Sequence, residues 1–127
     1  MAGPLLGVVH VEALPGSASF RSMRHVIGRA VADARELAAA GFDGVIVENF
    51  GSAPFHKGTR DDPTPPHVAA ALTVVADRIA GDCGLPTGIN CLRNDGVAAF
   101  GAAAVVGARW VRVNVLASAY VTDQGVI

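Results

Sequence analysis

Four short runs rich in valine or isoleucine, separated by longer alanine-rich stretches, constrain this chain more than any other feature. The runs are Leu5 to His10, Gly44 to Glu48, Pro86 to Leu92 and Trp110 to Val115, each flanked by glycine or proline. A brief apolar run bounded by such breakers reads as a buried strand. The stretches between them have helical spacing. From Met23 to Ala40, the apolar residues Val26, Ile27, Ala30, Val31, Ala34, Leu37 and Ala38 recur at three and four, behind a capping Ser22 and ahead of a stop at Gly41. A second helix is predicted to start at Pro65 or Pro66 with Thr64 as cap and to run to about Ala80. A third, thin and alanine-rich, runs from Asp95 to about Val106 and stops at Gly107.

Strands alternating with crossovers of this length make parallel βαβ units. A doubly wound sheet and a (β/α) barrel both satisfy the pattern. The barrel is favoured because no Gly-x-Gly-x-x-Gly turn follows the first strand, and because polar residues end all four strands. The expected fold is the N-terminal half, four βα units, of a TIM-type (β/α)8 barrel, with residues 1–127 forming a single incomplete domain.

Composition allows a core: 51% of the 127 residues are hydrophobic and 17% are charged, which argues against disorder. A formal net charge of −1 with no basic block argues against nucleic acid or an anionic membrane as partner. The opening Met1-Ala2-Gly3-Pro4 carries no cationic stretch, and Leu5 to Val9 is too short for a signal or a span, so the expected location is cytoplasmic. Cys83 and Cys91 form no C-x-x-C pair and read as reduced thiols.

Side chains of a strand alternate between its faces. If the helices take Val45, Val47, Val111, Val113 and Val115, the barrel interior receives Ile46, Glu48, Trp110, Arg112 and Asn114. The same rule sends Gly88, Asn90 and Leu92 inward from the third strand, and Leu6, Val8, His10 and Glu12 from the first. Six polar groups thus gather at the open end: His10, Glu12, Glu48, Asn90, Arg112 and Asn114. A buried, unpaired guanidinium costs several kcal/mol, so Arg112 needs a carboxylate or an anionic ligand, and Glu48 is the candidate within the chain. Either an internal ion pair or a ligand site satisfies it.

Several blocks resemble the BtpA/SgcQ family. They are Val8-Val9-His10-Val11-Glu12-Ala13-Leu14-Pro15-Gly16-Ser17, Asp43-Gly44-Val45-Ile46-Val47-Glu48-Asn49-Phe50-Gly51, Asn90-Cys91-Leu92-Arg93-Asn94-Asp95-Gly96, Arg112-Val113-Asn114-Val115-Leu116 and Val121-Thr122-Asp123-Gln124-Gly125. Together they are specific and span the chain. The resemblance implies a ribulose-phosphate-binding barrel about twice this length, so that this chain would be a truncated form without strands five to eight. It also implies a photosystem I assembly or stability factor, although similar proteins occur in organisms that do not photosynthesise and some are labelled phosphoribosylanthranilate isomerases. The family's shared motifs fall here on Asn49, Arg93, Asn94, Asp95, Asp123 and Gln124 as well as on the rim residues.

The alternative function is a small-molecule enzyme, an isomerase, lyase or hydrolase acting on a phosphorylated or carboxylated substrate at the C-terminal rim. His10, Glu48 and Arg112 would be its catalytic residues, with His10 as a general base tuned by Glu12 or Glu48. Glu12, Asn49, Asn90, Arg93, Asn94, Asn114, Asp123 and Gln124 would bind the ligand, a small anion. Asp95 either caps its helix or joins that set. Asp123 could join Glu48 on a divalent metal, but oxygen donors scattered like this make no metal motif. His25, His56 and His67 read as surface residues. The stretch from Asn49 to Thr64, with Phe50, Gly51, Phe55, Lys57, Gly58 and Arg60, is either a lid over an anionic substrate or a disordered loop. A half barrel leaves two sheet edges and one apolar face uncovered. Two copies closing one barrel, pairing with a complementary C-terminal half, and a poorly folded fragment are the three expected fates.

Overall fold

The computed structural model describes residues 3–123 and 125–127. Its strands are β1 (Leu6–His10), β2 (Gly44–Glu48), β3 (Thr87–Asn90) and β4 (Trp110–Val111), and its helices are α1 (Met23–Ala39), α2 (Pro66–Cys83) and α3 (Gly96–Val106). All four strands are parallel and lie in the order β1-β2-β3-β4, which is the arrangement of a partial (β/α) barrel. A short antiparallel hairpin, β5 (Val121–Thr122) with β6 (Gly125–Val126), follows β4 where a fourth helix was expected.

Local chemistry sets the helix ends. The Ser22 hydroxyl accepts from the His25 N–H at 3.2 Å, and the Asp95 carboxylate accepts from the Ala98 N–H at 2.8 Å. Gly107 closes α3 in the left-handed region, with its N–H donating to the Ala103 carbonyl. Thr64 does not cap α2. Pro65 takes the cap position and Pro66 the first helical one, where the missing N–H costs nothing.

Alternation sorts the two faces as period two requires. Val9, Val45, Val47 and Ile89 enter a core with Val26, Ala30 and Ala34 of α1, Leu72, Val75 and Ile79 of α2, and Ala99, Ala102 and Ala103 of α3. The register sets Val8, Ile46, Gly88 and Trp110 in one row of the other face, and His10, Glu48 and Asn90 in the next. No helix among the described residues covers that face. The Trp110 ring lies across Gly44, where a Cβ would come within 2.7 Å of it. The tryptophan therefore fills the floor that two glycines leave empty.

Three expectations about extent need correction. Strand β4 stops at Val111 rather than Val115, because its partner β3 ends at Asn90. The Arg112 N–H still reaches the Ile89 carbonyl at 2.9 Å, and the ladder then has nothing left to pair with. Strand β1 stops at His10, so the alternation that put Glu12 inward no longer governs it. The stretch from Asn49 to Thr64 is not disordered. It opens with a 3-10 turn at Phe50–Ser52 and closes around Asp62, whose carboxylate accepts from the Lys57 N–H at 2.9 Å and contacts His56 Nδ1 at 2.7 Å. The Asp62 carbonyl accepts from the Gly58 and Thr59 N–H groups.

Candidate functional site

The ends of β1, β2 and β3 and the residues after β4 bring five of the expected rim residues together. Glu48 is the centre. Only 5% exposed, it accepts from Asn90 Nδ2 at 2.6 Å and from Arg112 Nη1 at 3.2 Å, while His10 Nε2 stands 3.5 Å from its other oxygen. Asn90 also donates to the Asn114 carboxamide at 3.1 Å. The His10 and Arg112 side chains are 54% and 51% exposed, so a buried anion lies beneath two half-exposed cationic or donor groups. This is an open shelf on the inner face of the sheet. Phe50 stacks on His10 with centroids 4.4 Å apart and fixes the ring plane, a role that no sequence pattern announced.

Such a shelf suits proton transfer beside an anion. The Glu48 carboxylate is held by donors, His10 is within reach of a proton on it, and the half-exposed Arg112 has N–H groups beyond the one given to Glu48.

The structure places the remaining expected residues elsewhere. Glu12 turns toward α1, where it meets His25 Nε2 at 2.6 Å and Arg29 Nε at 3.8 Å. Asn49 and Asn94 act as clasps. The Asn49 carboxamide accepts from the Leu92 N–H at 2.7 Å and donates to the Leu92 carbonyl at 3.4 Å. One unit further on, the Asn94 carboxamide accepts from the Val115 N–H at 2.9 Å and donates to its carbonyl at 3.0 Å. Each asparagine thus copies a missing strand pair, tying the end of one strand to the loop after the next. Arg93 binds both carboxylate oxygens of Asp123, at 2.8 and 2.9 Å, and lies over the Phe55 ring. That pair anchors the β5–β6 hairpin at the rim. Gln124 lies outside the described residues.

Two titrations are shifted by their surroundings. Hydrogen bonds from His56 and from the Lys57 N–H hold the Asp62 carboxyl below its usual range. A lowered acid pKa means that this turn is fully supported above the ordinary carboxylate range and loosens as pH falls through the lowered value. Burial, and next the Asp95 charge, push the Cys91 thiol up to about 12. Only the thiolate attacks alkylating agents. Cys91 is therefore expected to stay unmodified by iodoacetamide at neutral pH in the folded protein and to react in denaturant, as read by peptide mass. Both cysteines are free, as their spacing suggested.

No helix among the described residues is long and apolar enough to cross a membrane. A model of the BtpA family matches residues 1–127. An uncharacterised protein of Pyrococcus furiosus is 47% identical over 125 residues, which is 98% of this chain and 46% of that protein. One from Thermococcus kodakarensis is 48% identical over the same shares. The photosystem I biogenesis protein BtpA of Synechocystis sp. is 47% identical over 98% of this chain and 42% of its own length. The chain spans somewhat less than half the length of these relatives. Parallel βα units, a polar rim at their carboxyl ends and matches running end to end leave one assignment: the chain belongs to the BtpA family.

Proposed function

We propose that the shelf formed by His10, Glu48, Asn90 and Arg112 is the substrate site of a small-molecule enzyme acting on a phosphorylated or carboxylated compound. One observation carries this reading: a nearly buried carboxylate is fixed by donors directly below two half-exposed groups that can hold an anion and move a proton. Arg112 grips the anionic group, Glu48 or His10 takes a proton from the bound compound, and Asn90 holds Glu48 in place. The residue positions are those where (β/α) barrels carry chemistry, at the carboxyl ends of the strands.

The test uses a full-length relative with turnover on a phosphorylated or carboxylated metabolite. Changing its residue at the Glu48 position to glutamine is expected to reduce kcat by about 100-fold or more with a small change in KM, the signature of a lost general base. Undiminished kcat would remove Glu48 from the chemistry.

A second reading, an assembly or stability factor, is favoured by the name of the Synechocystis relative. Against a role confined to photosystem I, near-equal identity extends to uncharacterised proteins of Pyrococcus furiosus and Thermococcus kodakarensis. Partner binding that survives loss of the rim residues would support the factor.

The open inner face and the free edges of β1 and β4 call for a further set of βα units. We propose a cytoplasmic protein whose inner face is covered by further βα units, whether from a longer form of this chain, a second copy or a complementary half. Light scattering on the purified chain is expected to give a dimer with a cooperative thermal melt. An aggregate or monomer without a cooperative transition would assign the missing half of the barrel to a longer protein.

A further inference from the structure

A second site lies among the loops that follow the strands, and it shares no lining residue with the shelf of His10, Glu48, Asn90 and Arg112. Asn49, tied to Leu92 rather than to Glu48, lines with it a cleft of about 280 Å³. The loop after β1 (Pro15 to Ala18), the loop after β2 (Ser52 to His56) and the start of α2 (Thr64 to Val68) form the remaining walls. We propose that this cleft binds a small carboxylated ring compound, independently of the shelf.

The cleft is built to stay open. Three loops are tied together around it: the Ser52 hydroxyl accepts from the Leu14 N–H at 3.0 Å, the His56 carbonyl accepts from the Arg93 N–H at 2.8 Å, and Asn49 clasps Leu92. A preformed void does not have to be ordered when a ligand arrives, which favours binding. Its volume stands just below the roughly 300–1,000 Å³ of small-molecule pockets, room for one ring and one polar group.

The walls name the chemistry. Pro54, Phe55, Pro65, Val68 and Leu92 offer rigid apolar surface for a flat ring. At one end the His67 imidazole sits over Gly16, whose hypothetical Cβ would lie 2.8 Å from Nε2, and Ser17 adds a hydroxyl beside it. Across the cleft, Asp62 accepts from His56 Nδ1, so His56 Nε2 donates to a bound anion only when the ring is protonated. Among the described residues no acidic side chain lines the cleft, although Asp62 is paired with His56 in its wall. The His67 imidazole and the Ser17 hydroxyl, joined by His56 when its ring is protonated, suit an anion, and the apolar walls select one carried on a ring. Gly16 is required here twice over: its φ is +92°, and a side chain would displace His67.

The test is a benzoate titration of the isotope-labelled chain followed by NMR, with inorganic phosphate as the control without a ring. Benzoate is expected to give saturable shifts at Gly16, Ser17, His56 and His67 and to leave His10 and Arg112 unmoved. Phosphate should bind more weakly. His67→Ala, an exposed position, should weaken benzoate by roughly tenfold while the amide spectrum of Val45 and Val47 stays native. Shifts that do not saturate, shifts centred on His10 and Arg112, phosphate binding as tight as benzoate, or full affinity in His67→Ala would each overturn the proposal. Glu48→Gln should leave benzoate binding intact, so this site and the shelf stand or fall separately.

Discussion

Replacing Asn49 by alanine is expected to destabilise the fold by about 2–4 kcal/mol, the largest effect of any single polar truncation at the rim. The reasoning starts from burial. Asn49 and Leu92 are 2% and 3% exposed, so water cannot take over when the carboxamide is removed. The truncation leaves both the N–H and the carbonyl of Leu92 without partners in a dry place, and each orphan costs about 1–3 kcal/mol. Asn94 makes the same pair of bonds to Val115 but both residues are only half-buried. Asn94→Ala should therefore cost less than about 1 kcal/mol, because water can replace the lost bonds. Urea denaturation midpoints at constant m-value give both numbers. Equal losses in the two variants would mean that the Asn49 clasp is not shielded from water. The contrast bears on function too. An Asn49 variant that lost activity would be read as a lost ligand contact alone, whereas the geometry also gives it a structural tie to Leu92 in the wall of the proposed cleft.

Gly51→Ala is expected to cost about 3 kcal/mol, through overpacking rather than lost contacts. A Cβ at Gly51 would come within 2.7 Å of three backbone atoms of the β1 loop: Ala13 N, Glu12 C and Val11 O. Backbone cannot swing aside as a side chain can. The Gly51 N–H also donates to the Val11 carbonyl at 2.9 Å, so the two chains are held at this close approach. Relief would have to push the 3-10 turn away from β1 and disturb the stacking of Phe50 on His10. Gly101→Ala is the control. Gly101 is exposed in α3 with nothing within 4 Å of a new Cβ, and alanine there should stabilise the protein by about 0.5–1 kcal/mol. Thermal melts of the two variants should move in opposite directions from the parent.

What the sequence determined by itself was periodic and local. Period-two alternation in Gly44 to Glu48 and at Trp110 and Val111 was enough to separate the core face from the shelf. Ser22 and Asp95 marked the starts of α1 and α3 because capping needs only the next few residues. Parallel pairing followed from crossover length alone. Tertiary structure decided whatever depended on a neighbour at long range. Strand ends were set by their partners, so β4 stopped when β3 ran out, and Glu12, one step past the end of β1, went to His25 and Arg29 instead of the shelf. Asn49 and Asn94 read as ligand residues because a carboxamide carries no sign of whether it will meet a ligand or a backbone. Only the approach of Leu92, 43 positions away, and of Val115, 21 away, showed that it meets a backbone. The cleft beneath His67 was invisible for the same reason: its walls come from four separate segments, and a void between segments leaves no periodic trace in any one of them.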